Sequence, residues 1–170
     1  MALVRRVGVH QAPSHELELA MSRLAHSDLL RTPVDVYSVA EFLGLEVQEE
    51  VMDDELSGYI EPRKSGWVIG VNSYHHPNRQ RFTVAHEIAH FLLHKPKERH
   101  LDVTFARRSG GRNKMEAEAD SFAANLLMPE SEVRDLISGG ETSLDRIAGR
   151  FGVSVMAAKY RAQSLGYKVR

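Results

Sequence analysis

The segment His86-Glu87-Ile88-Ala89-His90 sets two imidazoles and a carboxylate in a run whose other members, Phe82, Ala85, Ile88 and Ala89, are apolar. Nothing else in the 170-residue chain constrains the fold as much. The apolar spacing predicts a helix from Pro77 to about His94, closed by Lys95-Pro96. On a helix, positions 86 and 90 lie one turn apart on one face, so both rings reach the same point. Polar groups on a buried helix need partners. A single zinc ion suits two histidines at this spacing, and imidazole with carboxylate also accepts manganese or iron. Glu87 projects alongside, placed to take a proton from a water at the ion.

Composition narrows the setting. At 42% apolar, 26% charged and a net charge of −1, the chain is globular, and neither whole-chain disorder nor a generally basic nucleic-acid binder fits. There is no cysteine, which excludes a disulfide scaffold, thiolate zinc ligands and a cysteine nucleophile. Any zinc site must therefore use imidazole and carboxylate. The same absence fits a reducing, cytoplasmic compartment. No apolar run reaches the roughly 18 residues of a membrane helix, and the first residues lack an apolar stretch of signal-peptide length.

Periodicity predicts an α+β chain. A helix starts at Ser14 and ends near Leu30, and a second runs from Val34 to Leu43 with Gly44 as its stop. Alternation then marks three short strands, at Leu45-Glu-Val-Gln, Gly58-Tyr-Ile-Glu and Trp67 to Asn72, expected as a three-stranded antiparallel meander. The last strand leads into the His86 helix, where a free edge would pair with an extended substrate. Residues 95–114 hold seven Lys or Arg and a Ser109-Gly-Gly-Arg112 core, which predicts a mobile basic loop. A helix from Asn113 to Met128 follows, and two more run from Ser143 to Arg150 and from Ser154 to Leu165. The expected division is a core with N-terminal helices over 1–130 and a C-terminal helical subdomain over 131–170.

A hydrolytic zinc site needs a third protein ligand and an open position. His94 continues the face of His86 but lies about 12 Å further along the helix, so it is expected to cap the helix end. Glu116 and Asp120 share a face of the next helix, which borders the stripe of Ala119, Ala123 and Leu127. Glu116 is the expected third ligand, with Glu118 as fallback. Asp120 is the expected acceptor for the free ring nitrogen of a zinc histidine. A donor to a developing oxyanion is sought among Tyr74, His75, His76 and Tyr160, although Tyr74 to His76 also precede a helix start.

Arg81-Phe-Thr-Val-Ala-His-Glu-Ile-Ala-His-Phe-Leu-Leu-His94 and Glu116-Ala-Glu-Ala-Asp-Ser-Phe-Ala-Ala-Asn-Leu-Leu-Met-Pro129 together resemble the two signature blocks of the ImmA/IrrE metallopeptidases. Ile88-Ala89 stands where many relatives have Leu-Gly. The resemblance implies a minimal zincin core: a small sheet, an active-site helix and a glutamate helix, with a helical C-terminal piece. It implies His86, His90 and Glu116 as ligands and Glu87 as base. Its implied partner is a DNA-binding repressor, cleaved to release mobile-element or stress-response genes, and some members are proposed as toxin halves of toxin–antitoxin pairs.

Leu144 to Ala158 is similar to a helix-turn-helix, with Ala148 four residues before Gly152. From Ser143 onward six Lys or Arg face one Asp, a local excess that direct DNA binding would use. The competing expectation is a hairpin that packs on the core with a solvated basic face.

Overall fold

Capping residues and changes of period divide the chain into its elements. The computed structural model describes residues 14–103 and 113–169. Ser14 accepts from Leu17 N–H and opens α1, His15–Ala25, and a 3-10 turn at Asp28–Leu30 follows. Asp35 caps α2, Val36–Phe42. The strands are β1, Leu45–Glu50, β2, Leu56–Arg63, and β3, Gly66–Asn72. His76 caps α3, Pro77–Ala89, which runs on into a π turn over His90–His94. Then come β4, His100–Val103, and α4, Lys114–Leu127. The C-terminal helices are α5, Glu130–Ser138, α6, Leu144–Phe151, and α7, Val155–Ser164.

The α+β class holds, but the sheet departs from the expected three-stranded antiparallel meander. It has four strands in the order β1-β3-β2-β4. β1 lies parallel to β3, and the other pairs are antiparallel. β3 is therefore internal and has no free edge to offer a substrate. The distinction is in the side chains. β3 is an almost continuous buried run, as an internal strand should be, while β1 carries Glu46, Glu49 and Glu50, as an edge strand does. Alternation locates a strand but does not name its neighbours.

β4 lies inside the stretch expected to be a loop; residues 104–112 of that stretch fall outside the described residues. Among the described residues no strand pairs with its outer edge. His100 pairs with Ile60 and Asp102 with Gly58, so both face the side that α3 covers. His100-Leu-Asp-Val does alternate, but over only four residues and with its polar side chains inward, so nothing in it marks a strand packed on a core. Arg99 fastens β4 to β2 through two hydrogen bonds to Glu61, at 2.8 and 3.0 Å.

Ile60, Ile69 and Val71 of the sheet share one core with Val84, Ala85 and Ile88 of α3. That core continues through Ala123 and Leu127 of α4 to Ile147, Phe151 and Ala158 of the last two helices. Arg81 Nε donates to Gly152 O at 3.0 Å and Asn78 Nδ2 to Val153 O at 3.1 Å, which ties the α6–α7 turn to α3. Gly152 sits at φ +64°, where a side chain would be strained. Arg161 is buried and donates to Met128 O and to Asn125 Oδ1, joining α7 to the end of α4.

Gly58 sets the height of α3 above the sheet. A Cβ there would stand 2.5 Å from Gly70 O and 2.7 Å from Thr83 Cγ2. Gly58→Ala must displace backbone, because a carbonyl is one of the obstacles. We expect a loss of about 1–3 kcal/mol, as overpacking usually costs, seen as a lower denaturant midpoint; an unchanged midpoint would show that the helix is free to lift.

Candidate metal centre

The centre lies where α3, α4 and β4 converge. Small Ala119 and Ala123 on the buried stripe of α4 let that helix come close to α3. Asn113 Oδ1 accepts from Glu116 N–H at 2.9 Å, fixing the first turn of α4 and the carboxylate it carries. His86 Nε2 and His90 Nε2 are 3.0 Å apart. Glu116 Oε2 is 3.3 Å from the first and Oε1 is 3.2 Å from the second. Donors about 2.0–2.1 Å from a tetrahedral zinc ion stand about 3.3 Å from one another. The spacing of the two imidazole nitrogens and the Glu116 carboxylate therefore fits a shared metal ion. All three residues are buried, and the group is one that can hold such an ion.

The sequence model of the Peptidase_M78 family, described as the IrrE N-terminal-like domain, matches residues 40–163. The chain belongs to that family. It is a metallopeptidase family, in accord with the resemblance carried by the two motif blocks. No curated protein matches the chain.

Around His86, His90 and Glu116 the remaining side chains fall into distinct places. Asp120 Oδ1 lies 2.8 Å from His86 Nδ1. Glu87 is fully buried, and with His86 and Asp102 it forms a second group whose ligand-type atoms lie within 4.8 Å of one another. Glu118 turns away from the three donors, with Oε2 at 3.0 Å from His94 Nε2 and a side chain 44% exposed. His94 does not cap the helix. Its other nitrogen, Nδ1, is 2.9 Å from His90 Nδ1.

Of the oxyanion candidates, His76 caps α3, its Nδ1 accepting from Asn78 N–H at 3.1 Å. Tyr74 and Tyr160 are exposed. His75 is buried, and its Nδ1 has no hydrogen-bond partner among the described residues. Burial, with the charge of Arg79, lowers its pKa, while Asp54 and Asp102 oppose the shift. Two residues at the centre escaped the sequence reading. His100 Nε2 is 2.9 Å from Glu116 Oε1, and Asp102 Oδ1 is 3.9 Å from His86 Nε2. Their one signal was the i, i+2 spacing of a histidine and an aspartate.

In the metal-free protein, burial disfavours the His86 cation. Hydrogen bonds to Asp120 and Glu116, with the charges of Asp102 and Glu87, outweigh it and hold the pKa well above 6.5. Burial raises Glu116, but its close contacts with His100, His86 and His90 hold it far below the usual carboxylate range. Burial lowers His90 despite the nearby Glu116 carboxylate, and the charges of His86 and His100 add to the effect. A metal ion must displace the proton of His86, so affinity should still be climbing as pH passes 6.5, by up to about tenfold per unit for one proton released, and should level off only above the raised pKa. Chelator competition at several pH values measures this; an affinity independent of pH would contradict it.

Proposed function

We propose that the chain is a zinc-dependent endopeptidase. The observation that carries this reading is the buried Glu87 beside, and outside, the His86, His90 and Glu116 donor set. A site that held metal only for structure would have no use for that carboxylate. The donor set of two imidazoles and one carboxylate suits zinc, and also manganese or iron.

A divalent ion held there supplies Lewis acidity towards a peptide carbonyl and towards water. His86 and His90 present bare Nε2 atoms, and Glu116 adds the anionic donor. Asp120 orients His86 by accepting from its Nδ1–H. Glu87 takes the proton of the attacking water and returns it to the leaving nitrogen. His75 and Tyr74 are the proposed donors to the developing oxyanion. His75 is buried three residues after the end of β3, while Tyr74 offers an exposed hydroxyl. An extended substrate would pair with β4, the edge strand that bears His100 and Asp102, in place of β3.

The proposed substrate is a DNA-binding repressor of the helix-turn-helix type, whose cleavage releases mobile-element or stress-response genes. The family's peptidase character supports a protein substrate; the repressor follows from the motif resemblance. No helix among the described residues is long and apolar enough to cross a membrane, and a cytoplasmic setting is proposed on the absence of cysteine. The helices from 131 onward are proposed as a subdomain packed on the core.

Two other readings are separable from this one. A toxin half or non-catalytic partner of an antitoxin would keep the metal without needing Glu87. Glu87→Gln should retain stoichiometric zinc yet cut peptide hydrolysis by about 10²–10⁴-fold. If the biological effect survives in that variant, hydrolysis is not the function. DNA binding through α6 and α7 is weakened by Arg161, which is buried, and Arg146, which is paired with Glu141. Gel-shift titration at physiological salt should show no salt-sensitive binding, and neutral replacements at Arg146, Arg150 and Lys159 should change nothing. Salt-sensitive binding that these replacements abolish would restore the DNA reading.

A further inference from the structure

His90 is held by contacts that the three donors do not require. His94 Nδ1 faces His90 Nδ1 at 2.9 Å, and His94 Nε2 faces Glu118 Oε2 at 3.0 Å. Two facing Nδ1 atoms bond only when one of them carries the proton. Glu118 decides which. An ionised carboxylate only accepts, so His94 is the donor at Nε2, and in neutral His94 this leaves Nδ1 bare. That bare atom accepts from His90 Nδ1–H. A neutral His90 protonated at Nδ1 has its lone pair on Nε2, the atom 3.0 Å from His86 Nε2 and 3.2 Å from Glu116. For His86 the same end is reached in one step, through Asp120 at 2.8 Å.

The helix is deformed where this happens. Lys95 N–H bonds His90 O at 2.8 Å, five residues back, and Lys95 takes φ 42°. The resulting π turn, a form common at functional sites, carries the His94 ring 5.0 Å from that of His90, with the side chain only 7% exposed.

We propose that His94 and Glu118 are positioning residues of the metal centre, a two-step relay from α4 that sets the tautomer and ring plane of His90. The proposal rests on reading His86, His90 and Glu116 as the metal site. It gives α4 three acidic tasks at alternate positions: Glu116 as donor, Glu118 holding His90 through His94, and Asp120 holding His86.

The test is the affinity of the full-length protein for zinc, by chelator competition, with the visible spectrum of the cobalt form as a second readout. His94→Leu removes both contacts and should weaken zinc binding by about 10–100-fold, the usual cost of losing such a partner. His94→Asn puts an amide oxygen near the place of Nδ1 and should recover most of that loss. Glu118→Gln should weaken binding less than His94→Leu and alter the cobalt spectrum. Glu118 is at the surface, so its variant reads the relay even if His94→Leu fails to fold. The control is His86→Ala. If wild type binds no zinc, or His86→Ala binds it equally well, the metal-centre reading falls and the relay with it. If His86→Ala loses zinc while His94→Leu and Glu118→Gln bind like wild type, the relay alone is overturned.

Discussion

Three titratable side chains, His86, Glu87 and His90, buried where α3 passes into its π turn, are the constraint around which the molecule is arranged. Imidazole and carboxylate groups removed from water must be answered by partners of matching charge or by a cation. Most of the answer comes from α4. Glu116 meets both Nε2 atoms, and Asp120 meets the remaining nitrogen of His86. The apolar packing of α3 against α4 and these polar contacts support each other, because alanines on the buried stripe permit the approach that the carboxylates require. Breaking one contact would leave a buried charge unmatched, which costs more than the contact's own worth.

The sheet and the C-terminal helices hold this pair in place from opposite sides. Gly58 lets α3 lie low on β2, while β2 carries β4 and with it His100 and Asp102. At the other end, Asn78 and Arg81 of α3 satisfy carbonyls at the α6–α7 turn, and Arg161 satisfies the end of α4. The basic residues of the last helices are thus partly spent on internal contacts. Their local excess over acidic residues overstates the charge they present to solvent.

How far the centre could be read in advance depends on whether its parts are local. His86, Glu87 and His90 lie within a turn and a half of one helical segment, so spacing alone places them together. Glu116 and Asp120 share another, and the face they occupy was legible because it borders an alanine stripe. His100 and Asp102 were not legible, because β4 is short, sits at the sheet edge and points its polar side inward. His94 departs from expectation for a different reason. Apolar spacing predicts a regular helix to His94, and the π turn that directs its ring to His90 has no spacing signature. α5, too, went unread behind Pro129, although Val133, Leu136 and Ile137 have helical spacing.

Residue order alone therefore settled what is local: an α+β chain, the helix that bears His86, Glu87 and His90, the helix that bears Glu116 and Asp120, and a ligand chemistry confined to nitrogen and oxygen by the lack of cysteine. Strand neighbours, the internal position of β3, the fourth strand and the contacts of His94, His100 and Asp102 were settled by packing. Hydrophobic period and cap chemistry act over a few residues, so they are written in the local sequence. Which edges pair and which faces meet depends on how separated segments share one interior, and that energy belongs to the folded chain as a whole.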